Sequence, residues 1–118
     1  MLSSRNRLKK KTNFARVEID GELIQSKSFG IGIYDRSKDF GGDSNNTDSR
    51  FGFIISTRIS KKAVVRNRIK RTIADCLRLN IDRVKKGLDV IFLIKPNAIK
   101  IKNEELKKEV YDSLIKNL

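Results

Sequence analysis

Histidine and tryptophan are missing from this 118-residue chain, and cysteine, proline and methionine occur once each. Without histidine, and with Cys76 as the single thiol, the chain has no Ser-His or Cys-His catalytic pair and no zinc-ligand set. One cysteine cannot close an intrachain disulfide, which suits a reducing compartment. Long apolar runs are missing as well. The longest, Val90 to Ile94, is five residues, far short of a membrane span. The opening MLSSRNRLKKKTNF lacks the apolar stretch of a signal peptide. The expectation is a cytoplasmic protein with no membrane partner.

Acid is scarce relative to base. There are 27 Lys and Arg against 14 Asp and Glu, a net charge of +13 and a pI near 10.2. Such an excess repels itself unless a polyanion neutralises it, and nucleic acid fits that role better than an anionic membrane surface. With 38% hydrophobic residues the chain can bury one modest core, so a single domain over residues 1–118 is expected.

Local patterns divide the chain. Residues 1–11 are basic and polar and read as a mobile arm. Thr12 or Asn13 then suits the cap of a short helix with Phe14, Val17 and Ile19 on its apolar side, ended by Gly21. An extra strand is expected over 21–26. In SKSFGIGIYD, Phe29, Ile31 and Ile33 alternate with Gly30, Gly32 and Tyr34, the period of a half-buried strand. Residues 36–49, rich in Gly, Asp, Asn and Ser, read as a flexible loop. RFGFIIST resumes the alternation, with Phe51, Phe53 and Ile55 toward the core and Gly52, Ile54 and Ser56 away from it. A helix over 61–79 follows. LDVIFLIK is apolar on both faces, as suits a strand covered on two sides, and Pro96 ends it. The final segment has an amphipathic helical stripe of Leu106, Val110 and Leu114, with Asn103 as a plausible cap. The order αβββαβα implies an α+β, single-domain α/β sandwich: a small mixed sheet packed with helices.

The 61–79 helix carries the strongest signal. Its first eleven residues hold Lys61, Lys62, Arg66, Arg68, Lys70 and Arg71, with no acid before Asp75. At about 100° per residue, Val65, Ile69, Ile73, Cys76 and Leu77 form the stripe that meets the sheet. Arg66 and Lys70 then border that stripe, whereas Arg68, Arg71 and Arg78 look outward. Solubilising helices usually alternate Lys with Glu, so an unbroken cationic run favours phosphate binding. On the non-core side of the strands, Gly30, Gly32, Gly52 and Ser56 beside Tyr34 suggest a shallow floor for single-stranded RNA. The same glycines would also suit close packing under the first helix. Phe14, likewise, could be core or binding surface.

AVVRNRIKRTIADCLR, residues 63–78, resembles the signature of the bacterial ribonuclease P protein subunit. RNRLKKKTNFARV is similar to that family's basic first helix. RFGFIISTR and GLDVIFLIKPNA resemble its strands before and after the motif, so the likeness runs from about Arg5 to about Lys116. The resemblance implies a fold with a left-handed βαβ crossover, a hand that the general rule for such crossovers does not favour. It also implies a protein that binds the catalytic ribonuclease P RNA and assists removal of the 5′ leader from precursor tRNA. Mg2+ would be held mainly by the RNA, no catalytic residue would come from the protein, and no obligate protein partner is expected. By that likeness Lys62, Arg66, Asn67, Arg68, Lys70 and Arg71 meet the RNA subunit. The likeness implies that Phe14 and Arg58 lie along the leader, and the strand face adds Tyr34, Gly30, Gly32 and Ser56 as expected leader contacts. Glu18 stands where a second aromatic is common, and Thr57 where the family often has a base. Two readings besides this one stay open. One is a general or ribosomal RNA-binding protein on a similar sandwich. The other is a metal-dependent nuclease using Asp35, Asp39, Asp43 and Asp48.

Overall fold

Strand periodicity and sheet position agree closely in this chain. The computed structural model describes residues 2–36, 48–56 and 58–115. Helix α1 spans Lys11–Asp20 and ends at Gly21, whose N–H donates to the Val17 carbonyl. A Cβ on Gly21 would run into the Val17 and Ile33 carbonyl oxygens, so only glycine lets the chain turn into the sheet here. Strands β1 (Glu22–Gln25), β2 (Phe29–Asp35) and β3 (Arg50–Ile54) follow, then helix α2 (Ala63–Leu79) and strand β4 (Leu88–Ile94). Two short helices, α3 (Asn97–Lys100) and α4 (Asn103–Val110), and a π-helical turn at Tyr111–Ile115 close the described chain.

The sheet order is β1-β2-β4-β3. β1 and β4 each pair antiparallel with β2, while β3 pairs parallel with β4 through the α2 crossover. β4 is thus central, which explains its apolar character on both faces. Leu88, Val90, Phe92 and Ile94 join Phe29, Ile31 and Phe51 in the main core with α2 and α4. Ile91 and Leu93 point the other way, into a smaller cluster with Leu8, Phe14, Val17 and Tyr34. One helix therefore covers one face of the sheet and the remaining helices cover the other. The expected α+β sandwich is present, including the extra strand before β2. Glu109 on α4 fastens the β1–β2 turn, with Oε2 accepting from Ser26 Oγ at 2.5 Å and from the Ser28 N–H at 2.8 Å.

Three local expectations are corrected, the first being the cap of α1, where Lys10 stands and not Thr12 or Asn13. The N-terminal segment is packed, not a mobile arm. Leu2 and Leu8 are only 4% and 6% exposed. The Leu8 N–H donates to the Phe51 carbonyl at 2.9 Å, and buried Asn6 Nδ2 donates to the Ser49 carbonyl. Two leucines among the cations supply enough apolar area to hold the segment down. Asn103 is not a helix cap: Lys102 occupies that place, and the Asn103 amide oxygen accepts from Arg68. Pro96 ends β4 as expected, but it also leads into the single turn of α3, which the sequence pattern did not signal. The expected loop at 36–49 lies, from 37 to 47, outside the described residues.

Candidate nucleic-acid interface

The turn before α2 sets the direction of the basic helix. Ser60 Oγ accepts from the Lys62 N–H at 3.2 Å, and the Ser60 carbonyl accepts from Arg66 Nη1 at 2.6 Å. Lys62, Asn67, Lys70 and Arg71 are exposed, whereas Arg66 and Arg68 are half-buried. Ile69, Ile73, Cys76 and Leu77 are buried against the sheet as expected. Cys76 packs beside Asn80 and the Lys107 carbonyl, and burial pushes its thiol up from the ordinary 9.0.

The cations divide between two flanks. Asn67, Arg68 and Arg71 line a cavity of about 450 Å³ shared with Asn103 and Lys107 of α4. Arg68 does not simply look outward, which corrects the helical-wheel expectation. Its Nη1 donates to Asn103 Oδ1 at 2.6 Å and its Nη2 to the Ala98 carbonyl at 3.3 Å. The guanidinium ties α2 to α3 and α4 while remaining at the rim of that cavity. On the opposite flank, Lys70 leans over the sheet edge, as expected. There it lines a cavity of about 270 Å³ with Phe14, Gly52, Arg7 and neighbouring apolar residues. Arg58 and Ser56 are both exposed in the link from β3 to α2, where Ser56 Oγ accepts the Arg58 N–H at 3.1 Å.

The glycine floor is largely covered, which favours the second of the two readings left open for it, close packing under the first helix. The register places Gly32 opposite Ile91, and Ile91 opposite Gly52, in one row across three strands. α1 crosses this row. A Cβ on Gly32 would stand 3.1 Å from Val17 Cγ1, and one on Gly52 would stand 2.5 Å from Phe14 Cζ. These glycines let the helix approach the sheet, and Phe14 is seated on Gly52 as a half-buried ring. Gly30, also buried, lies beyond the helix beside Leu23, Gln25 and Leu93. A recess of about 150 Å³ remains there, lined by Val17, Glu18, Leu23, Gly32 and Leu93. Glu18 is exposed at this recess, so the chain presents a carboxylate where the resemblance leads one to expect an aromatic.

Tyr34 stands at the other end of β2. The Arg16 guanidinium lies 4.9 Å from its ring centroid, so one face of the ring is already taken. The structure therefore joins Phe14 with Lys70 but leaves Tyr34 apart, in a cavity with Asp20, Glu22 and Asp35.

Asp89, which sequence reading passed over, organises that end of the sheet. Its carboxylate is fully buried. Arg50 meets it through two hydrogen bonds of 2.8 and 2.7 Å, with Arg36 at 3.5 Å and Arg16 at 3.6 Å. The signal was an acid inside an otherwise apolar strand, which demands buried cationic partners. Among the described residues, no three of His, Cys, Asp and Glu are grouped to hold a metal ion. The buried carboxylate faces guanidinium groups.

Comparison with known proteins identifies the family and the fold. The model of the Ribonuclease P family matches residues 2–118. The ribonuclease P protein component of a Pseudanabaena species is 31% identical over 116 residues, covering 98% of this chain and 94% of that protein. The solved RNase P protein of Staphylococcus aureus superimposes with a TM-score of 0.79 at 19% identity, covering 92% of this chain and 91% of that one. That of Thermotoga maritima gives 0.78 at 18% identity, covering 95% and 96%. At such identities the two structures speak for the fold, and the family match over nearly the whole length speaks for descent. The chain belongs to the Ribonuclease P family.

Proposed function

We propose that this chain is the RNA-binding protein component of ribonuclease P. It would assist a catalytic RNA in removing the 5′ leader from precursor tRNA in the cytoplasm. The observation that carries the reading is the two-sided presentation of α2. Asn67 and Arg71 open toward α4, and Lys70 opens toward α1 and the sheet. A helix that offers cations on both flanks suits an RNA wrapped around it better than a single straight strand. Lys62, Arg66, Asn67, Arg68, Lys70 and Arg71 would contact the RNA subunit. Phe14, with Arg58 and Ser56 along the link, would meet the single-stranded leader. Gly32, with Gly30 nearby, would contribute only through the recess beside α1, and Tyr34 only from the separate cavity at the other end of β2.

The protein supplies no nucleophile or general base in this scheme. It neutralises phosphates and positions the leader, and magnesium held by the RNA supplies the hydrolytic chemistry. The test is precursor tRNA cleavage at low magnesium, using a bacterial ribonuclease P RNA with and without the protein, plus a protein-only control. Stimulation that requires the RNA is the expected result. Tight RNA binding without stimulation would instead point to a general RNA-binding protein, and cleavage by the protein alone would revive a self-sufficient nuclease.

A further inference from the structure

One corner of the molecule departs from its cationic character. The ten residues from Val17 to Ser26 hold Glu18, Asp20 and Glu22 and no Lys or Arg, in a chain of net charge +13. All three carboxylates are exposed, and among the described residues none forms an ion pair. Such a corner repels phosphate and adds nothing to RNA binding. It is also an open sheet edge. β1 lies at one end of the strand order and pairs with β2 alone. The Ser26 N–H donates to the Phe29 carbonyl at 2.9 Å, which closes the hairpin in a register that turns the backbone groups of Glu22 and Ile24 toward β2. Antiparallel alternation then points the N–H and C=O of Leu23 and Gln25 away from the sheet. The opposite edge differs, because there Arg7 bridges to Phe51 and the N-terminal segment lies along β3. Edge strands are commonly blunted by lysine, proline or a covering segment. β1 is short, but it carries neither lysine nor proline, and no described strand covers it. Beside this edge Leu23 is 58% exposed, at the recess of about 150 Å³ that it shares with Val17, Ile91 and Leu93. A water takes up about 30 Å³, so the recess admits one aliphatic side chain. Glu18 and Glu22 stand on its rim.

We infer that the outer edge of β1 receives an extended, basic segment of a partner protein. The segment adds a strand to the sheet, places one aliphatic side chain in the recess, and sets lysine or arginine against Glu18 and Glu22. In strand addition the backbone hydrogen bonds give affinity, and the pocket for an alternate side chain gives specificity. Charge selects the occupant. A second copy that paired β1 with β1 about a twofold axis would crowd two sets of these carboxylates together, and like charges so placed destabilise pairing. RNA would meet the same carboxylates with its phosphates. A precursor leader that reached the recess and a seated protein segment would exclude each other there. This role is separate from the RNA-subunit reading and does not rest on it.

The experiment titrates a short amidated peptide, alternating lysine with valine, into the full chain and follows it by amide NMR. Most of a +13 surface repels this probe, so non-specific attachment is suppressed. Saturable shifts centred on Leu23 and Gln25, with smaller ones at Gly32 and Leu93, are expected. The double variant Glu18→Lys, Glu22→Lys should weaken the peptide by about tenfold or more, since it sets like charges across the contact. The same peptide, N-methylated at alternate residues, keeps its charge but loses the donors that a strand needs, and it too should bind about tenfold more weakly. This second probe leaves the protein untouched, so the idea stays testable if the double variant does not fold. Absence of saturable shifts overturns the docking edge, as do shifts centred on another acidic site. Binding of the methylated peptide within twofold of the parent peptide overturns strand addition, and a folded double variant within twofold of the parent chain overturns the charge match. Two further titrations separate the other occupants. Shifts of the β1 amides with a short oligouridylate would assign the corner to RNA. Shifts of the same amides with protein concentration alone would assign it to a second copy. Either result overturns the protein-partner inference.

Discussion

At the scale of single residues, the consequences follow from what each side chain touches. Gly52 has a Phe14 ring where its Cβ would be, so Gly52→Ala must push α1 away from the sheet or twist Phe14 from its rotamer. Overpacking of this kind costs about 1–3 kcal/mol, measurable as a lower urea midpoint. An unchanged midpoint would mean that Phe14 swings freely. Cys76 tests burial in another way. Its thiol is raised above 9.0 chiefly by desolvation, against the pull of Lys107 and Asn80. The unfolded chain then loses this proton first as pH rises. The stability linked to Cys76 is complete below 9.0 and is lost as pH climbs through the higher folded value. Unfolding free energy above pH 9 should fall more steeply in the parent than in Cys76→Ala.

At the scale of elements, α2 combines two duties that substitution can separate. Arg71 is exposed and Arg68 is tied to Asn103 and the Ala98 carbonyl. Arg71→Gln should leave thermal stability unchanged and reduce the log–log salt slope of RNA binding by about 0.7–0.9. Arg68→Ala should in addition lower stability by about 1–3 kcal/mol, since hydrogen bonds from a charged group are lost. Equal melting temperatures for the two variants would show that Arg68 does not brace α3 and α4. The N-terminal segment makes a similar point. Its leucines are buried and its backbone hydrogen-bonds to β3, so Leu8→Ala should cost about 2–4 kcal/mol in denaturant. A free arm would show almost nothing.

Across the whole molecule, one carboxylate bears on much of the assembly. Asp89 on β4 engages Arg16 of α1, Arg36 just beyond β2 and Arg50 of β3. These residues are far apart in sequence and meet only when the sheet and its covering helix are complete. Asp89→Asn should cost about 3–5 kcal/mol, because it removes the buried carboxylate that partly buried guanidinium groups share. A loss below about 1 kcal/mol would mean that water, not the carboxylate, carries those charges. Stability and binding are also linked through the net charge. RNA that neutralises part of the +13 should raise the melting temperature, and added salt should weaken that gain.

Much of this architecture was legible in the sequence because it is local. Alternation at 29–34 and 51–55, an apolar run bounded by Gly87 and Pro96, and a helical stripe interleaved with cations each lie within one element. Each follows from side-chain period alone. The excess of base pointed to a polyanion, and RNRIKR pointed to the family. What the sequence could not determine is where elements meet. The glycines of β2 and β3 suited an open floor or a covering helix equally until the register placed them under α1. Arg68 looked outward until α3 and α4 came to rest beside it. Residues 2–8 looked mobile until β3 and α2 gave their leucines a surface. The Asp89 cluster and the cavity between Arg7 and Lys70 likewise depend on strand order. Strand order is a non-local property, set by which apolar faces bury each other and not by the period of any one segment.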